Sequence, residues 1–267
     1  MKRPIAIVVG GANGIGKACA LKLAKAGYDL LINDISSMSD VASQIRREGL
    51  DVMCVEGDIT SEKTLSNIDN LLKQKKRKIK VLVHSVYKNI TLPFLETTMD
   101  NWHDLMSVLF FSAVQISKVV IPYMIKGGSG SIIFISSVHG AASGQTGYSI
   151  YDSTKGALNS LTKSLAIEFG PKSIRVNSVM PGAIVTERNQ PFWHEHRFER
   201  AAFEYSYALR RFGGTEEVAS LVNFLASDES SFISGALIPV DGGLLAGLGE
   251  VGIFELYKAG LVTKGKS

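Results

Sequence analysis

The chain contains 267 residues, of which 45% are hydrophobic and 20% are charged, the composition of an ordinary globular protein with a sizeable core. The formal net charge is +4, but the segment 73–80 alone contributes six lysine and arginine residues, so the remainder carries 4 − 6 = −2. Basicity confined to one segment is typical of a solvated helix end and loop, and it argues against a nucleic-acid-binding protein.

Short apolar segments alternate with segments of helical periodicity along the whole chain. The predicted strands are 5–9, 29–33, 52–56, 79–84, 131–136, 174–179 and 236–240. The predicted helices are 15–26, 38–48, 62–75, 100–125, 151–169 and 215–226, with a further helical region over 192–209. Because the strands are apolar throughout, they indicate a mostly parallel seven-stranded sheet covered by helices on both faces. With no linker or repeat, we expect one doubly wound α/β domain over residues 1–267.

Several features bear on where the chain resides. The N-terminus has no signal-peptide pattern. The apolar stretch 105–125 is interrupted by Lys118 and Pro122, which favours a buried helix over a membrane span. Cys19 and Cys54 lack metal or redox spacing, so we expect a reduced, cytoplasmic protein.

A glycine-rich turn follows the first predicted strand. Gly10, Gly14 and Gly16 lie between this strand and the next helix. Glycines there let a backbone approach a pyrophosphate, whose charge is favoured by the free N–H groups and the dipole of a helix N-terminus. The turn therefore predicts a dinucleotide site.

Acidic residues follow the second and third strands. Asp34 comes where a carboxylate can accept hydrogen bonds from the adenosine ribose. The same carboxylate would repel a 2′-phosphate, and neither Asn13 nor Ile35 supplies a cation, so we expect NAD rather than NADP. Asp58 and Ile59 are candidate adenine contacts, with a helix N-cap as the alternative for Asp58.

A tyrosine and a lysine are placed four residues apart where a helical pattern begins. Tyr151 and Lys155 would share one helix face. A nearby ammonium favours the phenolate and would lower the tyrosine pKa toward neutrality. By itself the pair is weak evidence, and an ordinary surface pair explains it better unless the rest of the chain supplies a cofactor.

The order of motifs resembles the classical short-chain dehydrogenases/reductases over residues 3–245. The motifs are the glycine turn, Ser136-Ser137, Tyr151-x-x-x-Lys155 and Pro181-Gly182. The later segments 211–218 and 240–243 are most similar to bacterial 3-oxoacyl-carrier-protein reductases. The resemblance implies a Rossmann-type fold and an NAD(H)-dependent oxidoreductase that interconverts a secondary alcohol and a ketone.

The resemblance also implies roles for individual residues. Tyr151 would be the general acid in reduction and the base in oxidation, Lys155 would lower the pKa of Tyr151, and Ser137 would bind the substrate oxygen. Ser136 is the neighbouring candidate for that last role. The expected cofactor contacts are Gly10, Asn13, Gly14, Ile15, Gly16, Asp34, Asp58, Ile59, Tyr151, Lys155, Pro181, Gly182, Ile184 and Thr186.

The chain departs from the family pattern in three places. Val9 replaces a threonine, and His84-Ser85-Val86-Tyr87 replaces Asn-Asn-Ala-Gly. Leu109 stands where relatives carry a catalytic asparagine, which helps hold a water relay to the lysine. The first two departures together predict a repacked wall of the cofactor site, and the third is a chemical change, because leucine cannot hold a water relay.

Two alternatives follow from these departures. His84-Ser85 is also found in enoyl-carrier-protein reductases, and Tyr148 with Lys155 has their Tyr-x6-Lys spacing. Enoyl-thioester reduction is therefore the second hypothesis. The missing asparagine motivates a third, a catalytically weak NAD-binding scaffold.

The remaining expectations concern the lid and the assembly. In related proteins the region 190–212 forms the substrate lid, so its aromatic residues are expected to contact substrate or anchor the loop. His194 and His196 are not expected to bind metal. The C-terminal extension 244–267 is expected to pack on a neighbouring subunit of a homodimer or homotetramer, without nucleic acid or membrane partners.

Overall fold

The computed structural model describes residues 3–143, 145–247 and 260. Nine strands lie at β1 Ile5–Val9, β2 Asp29–Asp34, β3 Val52–Glu56, β4 Ile79–His84, β5 Gly130–Ile135, β6 Ile174–Pro181, β7 Ile184–Val185, β8 Gly213–Gly214 and β9 Leu237–Val240. The α-helices lie at α1 Gly14–Lys25, α2 Ser39–Arg47, α3 Glu62–Lys75, α4 Met99–Met106, α5 Ser112–Gly127, α6 Ser149–Phe169, α7 Gln190–Glu195, α8 Arg197–Tyr205 and α9 Thr215–Ala226.

Seven strands form one parallel sheet in the order β3-β2-β1-β4-β5-β6-β9. This confirms the predicted Rossmann-type doubly wound fold. The strand order reverses between β1 and β4, and the crevice at the carboxyl ends of these strands is where such folds bind ligands. The small parallel pair β7-β8 was not predicted, because strands of two residues carry no periodicity.

Helices cover both faces of the sheet, as the uniformly apolar strands require. All five residues of β1 are buried, and alternate ones contribute to two different apolar clusters. One cluster packs the sheet against α1 and α9, and the other packs it against α3, α5 and α6. The sheet is therefore a buried layer that holds its carboxyl edge in place.

The predicted helix 100–125 is longer and is interrupted. It spans Met99–Gly127, with a π-helical segment at Ser107–Phe111 between α4 and α5. By length and composition alone this stretch could cross a membrane. Ile116, Val120 and Met124 are nevertheless fully buried against the sheet, as the sequence predicted for a core helix.

Other boundaries differ by small amounts. Helix α6 begins at Ser149, two residues before the predicted start, so Tyr148 lies just outside it. The helical region over 192–209 is two short helices, α7 and α8, in the predicted lid. Most of the predicted extension 244–267 lies outside the described residues.

Most of the charged side chains in the basic segment 73–80 have an ion-pair or hydrogen-bond partner in the fold. Arg77 pairs with Asp29 and donates to the Arg3 carbonyl, while Lys75 contacts Asp51 at 3.2 Å. These contacts hold the start of the sheet together, so the segment has a structural role.

Candidate active site

The glycine turn is close-packed and accepts only glycine at key positions. A Cβ on Gly16 would lie 1.9 Å from the Gly10 carbonyl oxygen, and one on Gly10 would lie 2.6 Å from the Ser85 oxygen. Gly10 and Gly14 also have φ angles of +77° and +53°, in the left-handed region that favours glycine. The turn thus brings its backbone to the start of α1, in the shape that a pyrophosphate requires.

Asp34 lies at the end of β2 and faces this turn. Its carboxylate accepts hydrogen bonds from the backbone N–H groups of Ala12 and Ser36, each at 2.9 Å. Carboxylate oxygens have further lone pairs that can accept from ribose hydroxyls. The glycine turn and Asp34 therefore have the groups that a dinucleotide needs, and their contact with one stays a prediction.

The predicted adenine contacts are occupied in local structure. Asp58 accepts from the N–H and the hydroxyl of Thr60, both at 2.8 Å, and Ile59 packs in the core. The N-cap of α3 is Ser61, so the alternative role of Asp58 as a helix cap is wrong. An adenine contact at these residues stays a prediction.

Tyr151, Lys155 and Ser137 meet at the carboxyl edge of the sheet. Lys155 is buried, donates from Nζ to the Ile135 carbonyl at 2.9 Å and lies 5.6 Å from the centre of the Tyr151 ring. Ser137 is the second residue after β5, and its side chain lies close enough to the Tyr151 phenol to be among the causes that lower the pKa of that phenol. The neighbouring Ser136 hydroxyl donates instead to the Lys155 carbonyl at 3.1 Å, which gives it a structural role.

Burial shifts both titrating groups of the pair. It lowers the pKa of Lys155 to about 7 and raises the pKa of the Tyr151 phenol, with a smaller contribution from Tyr87. The nearby Ser137 side chain opposes the rise. The shift of the Tyr151 pKa is opposite to the one expected from a nearby ammonium. The reason is that the phenol is itself desolvated, and Lys155 donates to a backbone carbonyl and is only partly charged near pH 7.

Tyr148 occupies a different place from Tyr151. Its ring stacks on His139, with centroids 5.0 Å apart, and meets the edge of Tyr151 at 6.1 Å. Among the described residues it is Tyr151, not Tyr148, whose ring lies against the Lys155 ammonium. The geometry favours Tyr151 as the partner of Lys155.

The segment 181–189 lies over the glycine turn. A Cβ on Gly14 would lie 3.3 Å from the Thr186 methyl group, and Gly182 donates to the Val240 carbonyl at 3.0 Å. Asn189 accepts from the N–H of Thr186 and donates to the carbonyl of Ile184, both at 2.8 Å. With Pro181 at the end of β6, the predicted nicotinamide-side residues are thus collected at the same crevice.

Glu187 is a residue that the sequence reasoning missed. Its carboxylate accepts from the N–H of Gly14 at 3.2 Å and from Lys17 Nζ at 3.1 Å. A carboxylate at this helix N-terminus stands where the phosphate of a dinucleotide would be attracted. The contact joins residues 173 positions apart, so no local pattern could have revealed it.

The floor of the site, formed by His84, Leu109 and Ser112, was also not predicted from the sequence. His84 Nε2 lies 2.7 Å from Ser112 Oγ, and Ser112 donates to the Val108 carbonyl at 2.6 Å, inside the π-helical segment. π-Helical turns leave carbonyls without their usual partners, and Ser112 supplies one here. Leu109 is fully buried beside Leu105 and Tyr151, so its side chain fills space and forms no hydrogen bond.

The predicted lid carries an aromatic cluster. Trp193 contacts Phe192, Phe203 and Phe212, with centroids 5.0 to 5.7 Å apart. His196 stacks on Phe192 and bonds to that residue's carbonyl. No group of metal-ligating side chains occurs within the described ranges. This arrangement fits the role of a loop anchor.

Comparison with known proteins agrees with this geometry. Residues 10–245 match a family model described as enoyl-(acyl-carrier-protein) reductase. The chain is 33% identical to L-xylulose reductase of Bos taurus, over 90% of this chain and 96% of that one. It is 35% identical to 3-oxoacyl-[acyl-carrier-protein] reductase of Thermotoga maritima, over 90% and 97%. The crystal structure of acetoin dehydrogenase from Salmonella typhimurium superposes with a TM-score of 0.82 at 31% identity, covering 92% and 98%.

These relatives are named for different substrates at similar levels of identity, so they define the family and not the substrate. The chain therefore belongs to the classical short-chain dehydrogenases/reductases, nicotinamide-dependent oxidoreductases that act on CH–OH groups.

Proposed function

We propose that the protein interconverts a secondary alcohol and a ketone with NAD(H), using Ser137, Tyr151 and Lys155. The observation that carries this proposal is the buried Tyr151 side chain, which lies beside Ser137 and whose ring faces the Lys155 ammonium at the edge of a dinucleotide crevice. A bound nicotinamide supplies or accepts the hydride. The protein's own groups handle the proton and the developing charge on oxygen.

In reduction, the Ser137 hydroxyl donates a hydrogen bond to the carbonyl oxygen, and the Tyr151 hydroxyl transfers its proton to the developing alkoxide. The raised pKa of Tyr151 keeps the phenol protonated at neutral pH, ready to donate. The charged form of Lys155 stabilises the phenolate left behind. We therefore infer that ketone reduction is the favoured direction near pH 7.

Asp34 supports NAD over NADP. Its carboxylate is held beside the glycine turn by two backbone N–H groups. A 2′-phosphate placed there would meet a negative charge in a partly buried setting, where repulsion is weakly screened. The cofactor preference thus follows from one fixed carboxylate.

We also propose a homodimer or homotetramer. Phe111, Ile125 and Ile167 are exposed apolar side chains on the outer faces of the π-helical segment, α5 and α6. Exposed large apolar residues on helix surfaces are typical of association surfaces when they form a patch. Light scattering of the purified chain measures the state directly, and a monomer at micromolar concentration would overturn this assignment.

The proposal is tested by a matched pair of phenol deletions. Tyr151→Phe should lower kcat for ketone reduction by about 10²–10⁴-fold, the usual range for a general acid, while the Kd for NADH changes little. Tyr148→Phe is the control, because it removes a phenol stacked nearby on His139. Full activity in Tyr151→Phe would refute the assignment.

Enoyl-thioester reduction is the second candidate. The description of the matching family model and the seven-residue spacing of Tyr148 and Lys155 support it. NADH oxidation with a short enoyl thioester that is lost in Tyr148→Phe, and kept in Tyr151→Phe, would establish it. Tight NADH binding without turnover of ketones, alcohols or enoyl thioesters would favour a non-catalytic scaffold.

A further inference from the structure

A histidine and an aspartate form a hydrogen-bonded pair beside Tyr151. His139 Nδ1 lies 2.8 Å from Asp152 Oδ1, and both side chains are partly buried. Asp152 follows Tyr151 directly in the first turn of α6, and His139 is two residues after Ser137. The pair therefore adjoins the reacting groups, although the proposed chemistry does not use it.

The backbone holds His139 in this position. Ser137 caps the short turn Val138–Gly140 by accepting from the N–H of His139 at 3.2 Å. The turn sits directly on α6, since a Cβ on Gly140 would lie 2.8 Å from the Lys155 carbonyl oxygen. Because the turn is anchored at both ends, His139 is held over the start of α6.

Aromatic contacts orient the imidazole ring. It stacks on Tyr148 with an interplanar angle of 23°, and it meets the Tyr151 ring edge-on at a centroid distance of 5.8 Å. Nδ1 is engaged by Asp152, whereas Nε2 makes no hydrogen bond within residues 3–143, 145–247 and 260. The Ser137 hydroxyl bonds to the backbone of His139 and not to its ring, so the three residues do not form a nucleophile-base-acid set.

The protonation pattern follows from the donors and acceptors. An ionised carboxylate can only accept a hydrogen bond. The proton in the bond between His139 and Asp152 is therefore on Nδ1, which donates to the carboxylate. In a neutral imidazole, Nε2 then presents a lone pair. A lone pair on a ring that contacts the Tyr151 ring is suited to accept a hydrogen bond from a substrate hydroxyl.

We propose that His139, oriented by Asp152, recognises a hydroxyl group on the carbon next to the reacting carbonyl. The substrate class is then small hydroxyketones and, in the reverse direction, vicinal diols; this inference rests on the proposed ketone reduction. The centres of the His139 and Tyr151 rings lie 5.8 Å apart, so one small molecule can contact both side chains. A second polar group is near the site, because the Arg188 guanidinium lies 5.9 Å from the centre of the Tyr87 ring, which in turn contacts Tyr151.

Two ketones with the same carbon skeleton test the proposal. The kcat/KM of butan-2-one and of 3-hydroxybutan-2-one is measured with NADH. The kcat/KM of the wild-type protein should be at least about tenfold higher for the hydroxyketone. This ratio corresponds to ~1.4 kcal/mol, the contribution of one hydrogen bond between uncharged groups. His139→Phe keeps an aromatic ring on Tyr148 and removes the acceptor, so it should reduce the preference about tenfold, mainly through KM.

His103→Phe is the matched control, because His103 is an exposed histidine on α4. It should leave the ratio of the two kcat/KM values unchanged. Asp152→Ala should reduce the ratio as His139→Phe does, because the imidazole loses its orientation. A wild-type protein without preference, or a preference retained in His139→Phe, would overturn the role of His139.

A binding measurement separates this inference from the proposed function. Absence of turnover with both ketones would refute ketone reduction. Calorimetric titration of both ketones into the NADH complex needs no turnover. Tighter binding of the hydroxyketone that is lost in His139→Phe would support recognition by the histidine, and equal binding of the two ketones would refute it.

Discussion

The buried ammonium of Lys155 should destabilise the fold at neutral and acidic pH. Burial lowers its pKa from the ordinary value of 10.5 to about 7. Between these two values the unfolded chain binds a proton that the folded protein does not, so stability rises as pH increases through this window. At ~1.36 kcal/mol per pH unit, the penalty reaches about 5 kcal/mol at and below pH 7.

Lys155→Met removes the charge while preserving most of the side-chain volume. The variant also loses the hydrogen bond to the Ile135 carbonyl, at a cost of about 1–2 kcal/mol. We expect a net stabilisation of about 3 kcal/mol at pH 6, or an increase in Tm of ~6–12 °C. Near pH 10.5 the sign should reverse, because only the loss of the hydrogen bond remains.

Urea denaturation of both proteins at several values between pH 6 and pH 10 measures this difference. Lys163→Met is the control, because Lys163 is an exposed lysine on the same helix and its loss should give no such pH-dependent gain. Turnover should be lost in Lys155→Met at every pH. A stability difference between Lys155→Met and the wild type that does not change with pH would refute the reasoning.

Further variants test the cofactor side and the floor of the site. Asp34→Asn should weaken the preference for NAD over NADP about tenfold in kcat/KM, and an unchanged ratio would contradict the ribose assignment. Glu187→Gln should lower the Kd for NADH about threefold by fluorescence titration, because a carboxylate no longer competes at the Gly14 N–H, whereas Glu195→Gln in the lid should not. Leu109→Asn should cost about 2–4 kcal/mol in urea denaturation by burying an amide in an apolar cluster, and an unchanged midpoint would contradict that cost.

Much of the fold follows from local sequence patterns. Uniformly apolar strands separated by helical periodicity predict a parallel sheet covered on both faces, because only that arrangement buries every strand residue. The predicted first and last residues of β1, β3 and β4 agree with the structure, because each of these strands is a short apolar segment. The π-helical segment at Ser107–Phe111 could not be predicted, since its apolar residues fit an α-helix equally well and the extra residue per turn is set by tertiary contacts.

The candidate site also has a part that local motifs predict and a part that depends on contacts between distant segments. The glycine turn and the Tyr151–Lys155 pair are local motifs whose geometry depends on a few successive residues. The contacts of Glu187 with Gly14 and of His84 with Ser112 join distant segments, and they appear only once the sheet places these segments together. The direction of the Tyr151 pKa shift depends on burial, which the motif alone does not determine.

The three departures from the family pattern form one consistent change. Val9 is buried and links to β4 through its carbonyl, which accepts from the N–H of Ser85 at 2.9 Å, so no threonine hydroxyl is needed there. His84 is held neutral by burial, with its pKa lowered to about 3. Since the Ser112 hydroxyl donates to the Val108 carbonyl, its oxygen accepts from His84 Nε2. This series of hydrogen bonds therefore ends at a backbone carbonyl.

The hydrogen-bonded series from His84 through Ser112 to the Val108 carbonyl carries no charge near Lys155. The buried Leu109 adds no polar group to this series. The charge on Lys155 therefore depends on burial alone, with no carboxylate among the causes of its pKa shift. The stability lost at this residue is the direct consequence of its burial without a carboxylate partner, and the ammonium is available to the phenolate that Tyr151 forms as it gives up its proton.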